Sequence, residues 1–250
     1  MKGGRNYFCF ITTLFFLAFS IPTLAQKLSV NFNADLVSRY IWRGLNVNDQ
    51  PNIQPAITFK LSDLQFGFWG SYGLSHTNTT DDLHSTSHEI DSWISYTFSI
   101  DNSVNITAIV TDYYYPAAGI RMGNFNNYDD KNGSGAHTIE TGVSIAGPES
   151  FPFTFSGYLN VYNDAGSNAY FQIDYSTKID DYGLGFFVGA SNGSKDNPAY
   201  YGTEKFNLIN VGFKVSKQIK ITENFSLPVY CSYILNPEAE ISYLIFGISI

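Results

Sequence analysis

Cysteine is nearly absent from this sequence. There are two, Cys9 and Cys231, and Cys9 falls in a segment expected to be removed. Cys231 is then left alone, which excludes an intrachain disulfide. Charge is scarce: Asp, Glu, Lys and Arg make up 14% of the residues, against about 25% in an ordinary soluble domain. Positive charge is scarcer still, 14 basic residues against 22 acidic ones, which argues against a nucleic-acid partner. Beyond residue 25 no stretch of about 18 residues is continuously apolar, so no transmembrane helix is expected. No stretch there sustains a helical period either.

The first 25 residues are of another kind. Lys2 and Arg5 precede an apolar run from Tyr7 to Leu24 that ends in PTLAQ. A charged start, an apolar centre and a small residue at the break are the marks of a secretory signal peptide, here cleaved after Ala25. Nothing like a lipoprotein cleavage site precedes Cys9. Residues 26–250 are then read as one domain, with 12 basic and 22 acidic residues once Lys2 and Arg5 are gone.

What is abundant is aromatic. With 18 Tyr, 21 Phe and 3 Trp, aromatics reach 17% of the chain, yet mean hydropathy stays near neutral at −0.09. Strands with one polar and one lipid-facing side produce that combination. The pattern agrees. LQFGFWGSYGL sets Leu64, Phe66, Phe68, Tyr72 and Leu74 against Gln65, Gly67, Trp69, Ser71 and Gly73. EIDSWISYTFSI sets Ile90, Ile94, Tyr96, Phe98 and Ile100 against Glu89, Asp91, Ser95, Thr97 and Ser99. Twelve such segments follow one another: 28–42, 53–61, 64–74, 88–100, 104–115, 137–147, 151–162, 168–178, 182–191, 205–216, 225–234 and 240–250. Their length of about 9–13 residues suits a tilted bilayer crossing and exceeds the usual soluble strand of about five or six, which disfavours a β-sandwich. Short turns such as SD and DNS alternate with longer loops at 43–52, 75–87, 116–136 and 192–204, with NDAGS and NPEAE as short exceptions among the latter. The expected fold is therefore all-β: a closed antiparallel transmembrane barrel of about 12 strands, with short periplasmic turns and longer outer loops. Closure also removes exposed strand edges.

Three stretches near the start, SRYIWRG (38–44), PNIQPAITF (51–59) and LQFGFWGSYGL (64–74), together resemble the opening strands of the TorF-type family, whose members are classed as presumed porins. The matching residues are Ser38, Tyr40, Arg43, Gly44, Pro51 and Gln54, with further likeness in EIDSWISY and TDYYYP. The resemblance implies an outer-membrane barrel that passes small solutes. It implies no substrate and no catalytic residue, and it leaves Arg39 and the terminal Ile250 unexplained.

Strand direction gives each inward residue a height. If 28–42 is one rising strand, Arg39 and Arg43 lie near its outer end, inside, with Tyr40 and Trp42 outside in an aromatic girdle that Tyr72 joins. Glu89, Asp91 and Glu140 begin descending strands at the same height, and Asp174 is mid-strand. The expectation is an upper lumen in which the two arginines face acidic groups, Glu89 and Asp91 first. Lys60, Lys178 and Lys214 come late on descending strands and are expected to ring the periplasmic end. Such rings select permeating solutes, but in a barrel of intermediate size they can instead fill the interior. The functional expectation is an outer-membrane channel for passive diffusion of small polar solutes. The alternatives are a non-conducting barrel that serves structure or binds a partner through its loops and, more remotely, a barrel hydrolase. For the last, His76, His84, His88 and His137 with Ser85 and Ser87 are the candidates, but they look like loop residues and no catalytic residue is assigned. Asp130, Asn132, Ser134 and Gly135 imitate the start of a calcium loop, but Thr141 stands where the bidentate Glu is needed. No metal and no cofactor is expected. Expected contacts are outer-membrane lipid, lipopolysaccharide and small polar solutes. The oligomeric state is left open.

Overall fold

The computed structural model describes residues 27–74, 88–101 and 103–250. The expected signal peptide and the loop histidines His76 and His84 lie outside these residues. Among the described residues fourteen strands follow one another: β1 (Ser29–Val37), β2 (Tyr40–Trp42), β3 (Leu45–Asn48), β4 (Asn52–Leu61), β5 (Leu64–Gly73), β6 (Glu89–Ile100) and β7 (Val104–Tyr114). The second half adds β8 (His137–Ala146), β9 (Phe153–Tyr162), β10 (Ala169–Ile179), β11 (Tyr182–Ser191), β12 (Asn207–Lys220), β13 (Ser226–Asn236) and β14 (Ile241–Ser249). Twelve of them close an antiparallel barrel in chain order. β2 and β3 stand apart as a separate hairpin.

The barrel seam is between β1 and β14, where Asp35 pairs with Ser249 and Val37 with Gly247. The last residue takes part: Ala34 and Ile250 exchange backbone N–H···O bonds of 2.8 and 2.9 Å. A terminal Ile therefore serves closure as well as another apolar residue would, because the bonds come from its backbone.

Alternation separates the two faces. Phe32, Phe68, Phe98, Phe171, Phe186 and Phe246 are all 47–69% exposed on the outside, a band that matches lipid rather than water. Asn33, Gln54, Thr58, Ser95, Thr107 and Asn210 have the opposite parity and face the lumen. Ile173→Arg, mid-strand on the outer face, is expected to destabilise the barrel by about 2–4 kcal/mol. Asp174→Asn beside it should be tolerated. Urea unfolding in detergent or lipid, followed by heat-modifiable gel migration, compares the two.

The first segment departs from expectation. The reading of 28–42 as one rising strand stops at Val37, and residues 38–48 turn inward. Arg43 (φ 50°) and Gly44 (φ 80°) are the two residues of the β2–β3 turn, and Trp42 pairs with Leu45 across it. Two consecutive left-handed residues define the tight turn that suits strand twist. The alternation in SRYIWRG is thus real, but it builds a hairpin inside the barrel. At the other end of the sequence β12 runs on to Lys220, which shortens the expected KQIKITEN turn.

Candidate functional site

The hairpin carries Arg43 across the barrel to β8. Around the closed sheet β8 lies five steps from β1 in one direction and seven in the other, so it belongs to the far wall. There Arg43 Nη1 and Nη2 donate to Glu140 Oε2 and Oε1 at 2.6 and 2.8 Å. Nη1 also donates to the Tyr201 hydroxyl at 2.5 Å, and Tyr113 donates to Glu140 at 2.9 Å. The pair is nearly closed to solvent, with side-chain exposures of 11% for Arg43 and 2% for Glu140. Aromatic rings frame the cation: the guanidinium carbon lies 4.5 Å from the Trp42 and Tyr158 ring centres and 4.6 Å from that of Tyr170. A planar fork that bonds edge-on and stacks face-on uses both properties that distinguish Arg from Lys.

Two further strands and a loop complete this level. Tyr201 stacks on Trp42 at 5.7 Å and Tyr170 lies 5.9 Å from Tyr201. Tyr200 and Tyr201 arrive from the β11–β12 loop, where Pro198 opens a single 3-10 turn. The hairpin tip is fixed on the other side by the bond from Asn236 Nδ2 to the Gly44 carbonyl, 3.1 Å.

A buried carboxylate outside the strands holds that loop. Asp164 accepts bonds from Asn160 Nδ2, from the backbone N–H of Gly166 and of Asn168, from Asn168 Nδ2 and from Asn197 Nδ2, at 2.8–3.0 Å. Asn197 immediately precedes the turn that delivers Tyr200 and Tyr201. Burial raises the Asp164 pKa, but the Asn197 and Asn160 amides and the two backbone donors outweigh it and leave the pKa below the usual Asp value. The folded pKa is the lower one, so this stabilisation is complete above the unfolded value of about 3.9 and fades as pH falls through the folded value. Hydrogen-exchange protection of the Gly166 and Asn168 amides is expected to be full at neutral pH and to drop below that point. Asp164→Ala should remove it at every pH.

The placements amend several expectations. Tyr40 and Trp42 are not girdle residues: Tyr40 is 7% exposed and 5.4 Å from the Trp69 ring, and Trp42 stacks on Tyr201. Both are inside because the strand that would have turned them outward ends at Val37. Tyr72 does stay on the outer face, 38% exposed. Arg39 faces neither Glu89 nor Asp91. It pairs with Asp49 at 3.1 Å, with 32% and 59% of the two side chains exposed, a geometry worth little. Arg43 meets Glu140 in place of Glu89 and Asp91. Glu89 instead bonds the buried Tyr40 hydroxyl. Asp174 accepts from Gln172 Nε2 at 2.8 Å, within a chain that continues to Tyr170 and Asn210. At the short-turn end Lys178 and Lys214 line one cavity of about 670 Å³. Lys214 lies 3.7 Å over the Tyr230 ring, and Lys60 shares the inward parity of β4 where it pairs with Ser29.

The loop readings also find their places. His137 bonds Asp112 through Nδ1 and the Met122 carbonyl through Nε2, and stacks on Phe125 at 4.0 Å. Both ring nitrogens are occupied, so neither is free to act as a base. His88 lies beside Tyr72 at 5.3 Å. Asp130 Oδ1 accepts from the backbone and side chain of Asn132, a local turn that uses the oxygen a calcium ion would need. Tyr113, Tyr158, Tyr200, Tyr201 and Asp164 were not singled out from the sequence. The first two have inward parity, which was the available signal, whereas the loop residues had none.

A closed barrel with an apolar outside and a polar inside defines a membrane-spanning β-barrel protein. This chain belongs to the Gcw_chp family, described as bacterial protein of unknown function, whose model matches residues 23–230. That description brings neither the TorF-type name nor an activity. No curated protein matches. Among solved structures the chain is similar to the KdgM porin in complex with disordered oligogalacturonate, with a TM-score of 0.48 and 11% identity over 89% of this chain and 98% of that one. It is also similar to Salmonella typhi OmpF in complex with daunomycin, with a TM-score of 0.41 and 9% identity over 90% and 97%. At those values the class rests on the sheet closure itself.

Proposed function

We propose that this protein is an outer-membrane channel through which small polar solutes diffuse passively, exported by its N-terminal leader and narrowed by the Arg43–Glu140 constriction. The observation that carries the reading is the inward hairpin, which sets a cation and an anion against each other across a polar lumen. A pore needs such a level to select among solutes, by size and by fixed charge. Toward the short-turn end the inward side chains include Ser95, Thr97 and Thr107 and then Lys178 and Lys214. The wall supplies rigid strands and the constriction supplies the filter, so no cofactor enters. The lipid belt and the loops supply the remaining contacts, with outer-membrane lipid and lipopolysaccharide.

The competing reading is a barrel that the hairpin seals for good, favoured by the low exposure of Arg43. Planar-bilayer recording of refolded residues 26–250 separates the two. Discrete conductance steps are expected. A bilayer that stays silent with folded, inserted protein would sink the channel reading and leave the sealed barrel.

A further inference from the structure

We propose that the lumen chamber beside the constriction is a binding site for neutral saccharides, a disaccharide or short oligosaccharide held against its tryptophans. The inference deepens the channel reading of the same lumen and rests on it for access. The chamber has a volume of about 580 Å³ and opens along the inner faces of β5 to β9 under the hairpin. That lies within the range of about 300–1,000 Å³ usual for small-ligand sites.

Its lining has two parts. All three tryptophans of the chain, Trp42, Trp69 and Trp93, lie on it. Trp93 is laid against the wall: its ring covers inward-facing Gly67 of the next strand, where an added Cβ would come within 2.8 Å of the indole. The same device recurs opposite, where the Tyr158 ring covers Gly142. A ring flattened in this way presents a face to the lumen rather than an edge. The apolar C–H face of a pyranose ring, with its partial positive hydrogens, complements the negative face of an aromatic.

The second part is hydroxyl-rich. Thr111 lines the chamber level with Trp93, and Ser95, Thr97 and Thr107 line it below; Thr97 and Thr107 bond each other at 2.9 Å and keep acceptor positions for a ligand. Asp91 is on the same wall and shares a hydrogen bond with the neighbouring Glu89 carboxyl. The charges select against other ligands. The arginine of the chamber is already committed to Glu140 on both nitrogens, so an anionic sugar finds no free cation. An organic cation would meet Arg43, stacked on the Trp42 face it would need.

Because every tryptophan lines the chamber, intrinsic fluorescence reports on it alone. Folded residues 26–250 in detergent are titrated with maltotriose, cellotriose, trigalacturonate and choline. Either neutral trisaccharide is expected to change the emission saturably, while trigalacturonate and choline do not. Trp93→Ala is expected to weaken the midpoint about tenfold, the loss of one stacking contact. Trp93→Phe, which keeps a ring over Gly67, should retain most of the binding. No saturable response to either neutral sugar from wild-type protein that migrates as folded overturns the proposal, as does saturation by trigalacturonate or choline in their place. The titration needs no current. A silent bilayer with intact sugar binding would therefore refute conduction and leave the site standing, and steady conduction without sugar binding would do the reverse.

Discussion

Arg43→Ala is expected to raise single-channel conductance severalfold and to turn the channel toward cations. Among the described residues, the substitution removes the one hairpin group that bonds Glu140. It leaves a carboxylate that is 2% exposed with Tyr113 as its remaining donor. Breaking one side of a buried ion pair costs about 3–5 kcal/mol. The least expensive relief is for water and counter-ions to enter where the guanidinium was. The lumen then widens and carries a net negative charge at its narrowest level. Arg43→Lys should restore the sign of the charge but not the geometry, since an ammonium cannot bond both oxygens or stack on Trp42, Tyr158 and Tyr170. Glu140→Gln keeps the shape and leaves the cation, so selectivity should move toward anions. Reversal potentials across a salt gradient measure all three. Unchanged conductance and selectivity alongside lowered stability would make Arg43 a strut and not a filter.

Gly44→Ala is expected to dislodge the hairpin while leaving the barrel closed. Gly44 has φ 80°, a conformation that costs an L-residue about 1–2 kcal/mol. Its neighbour adds more: an added Cβ would fall within the Ile209 carbonyl oxygen, which belongs to a wall strand and cannot rotate away. Overpacking of this kind costs about 1–3 kcal/mol. The twelve-stranded sheet does not depend on this contact, so the cost should appear as movement of the hairpin. The expected readout is a larger and noisier conductance with an unchanged heat-modifiable gel shift. A variant that conducts as the parent does would show that the tip tolerates displacement without opening the lumen.

Much of this was legible from residue order. Alternation in LQFGFWGSYGL and EIDSWISYTFSI placed Phe68, Ile94 and Tyr96 on one face and Trp69 and Ser95 on the other, the division the barrel shows. The same rule failed at SRYIWRG because it fixes relative sides, not continuity. A chain that alternates equally well in a wall strand or an inward hairpin is decided by what its side chains meet. Gly44 held part of the missing clue, since glycine suits the positive φ of a hairpin turn, but Arg43, which takes φ 50° as well, gave none, because such a residue rarely adopts it. Tyr200 and Tyr201 gave no comparable signal, being two tyrosines in a loop whose path depends on Asp164.

By itself the sequence determined the number of wall strands, their faces and the polar interior, because a period of two is enforced by local backbone geometry. Only the tertiary structure decided which charges meet. Arg43 and Glu140 are 97 positions apart, and Arg43 and Tyr201 are 158 apart. What joins them is the curvature of a closed sheet, which sets β8 across from the hairpin. Distance across a lumen is a property of closure, and no pattern along one strand contains it.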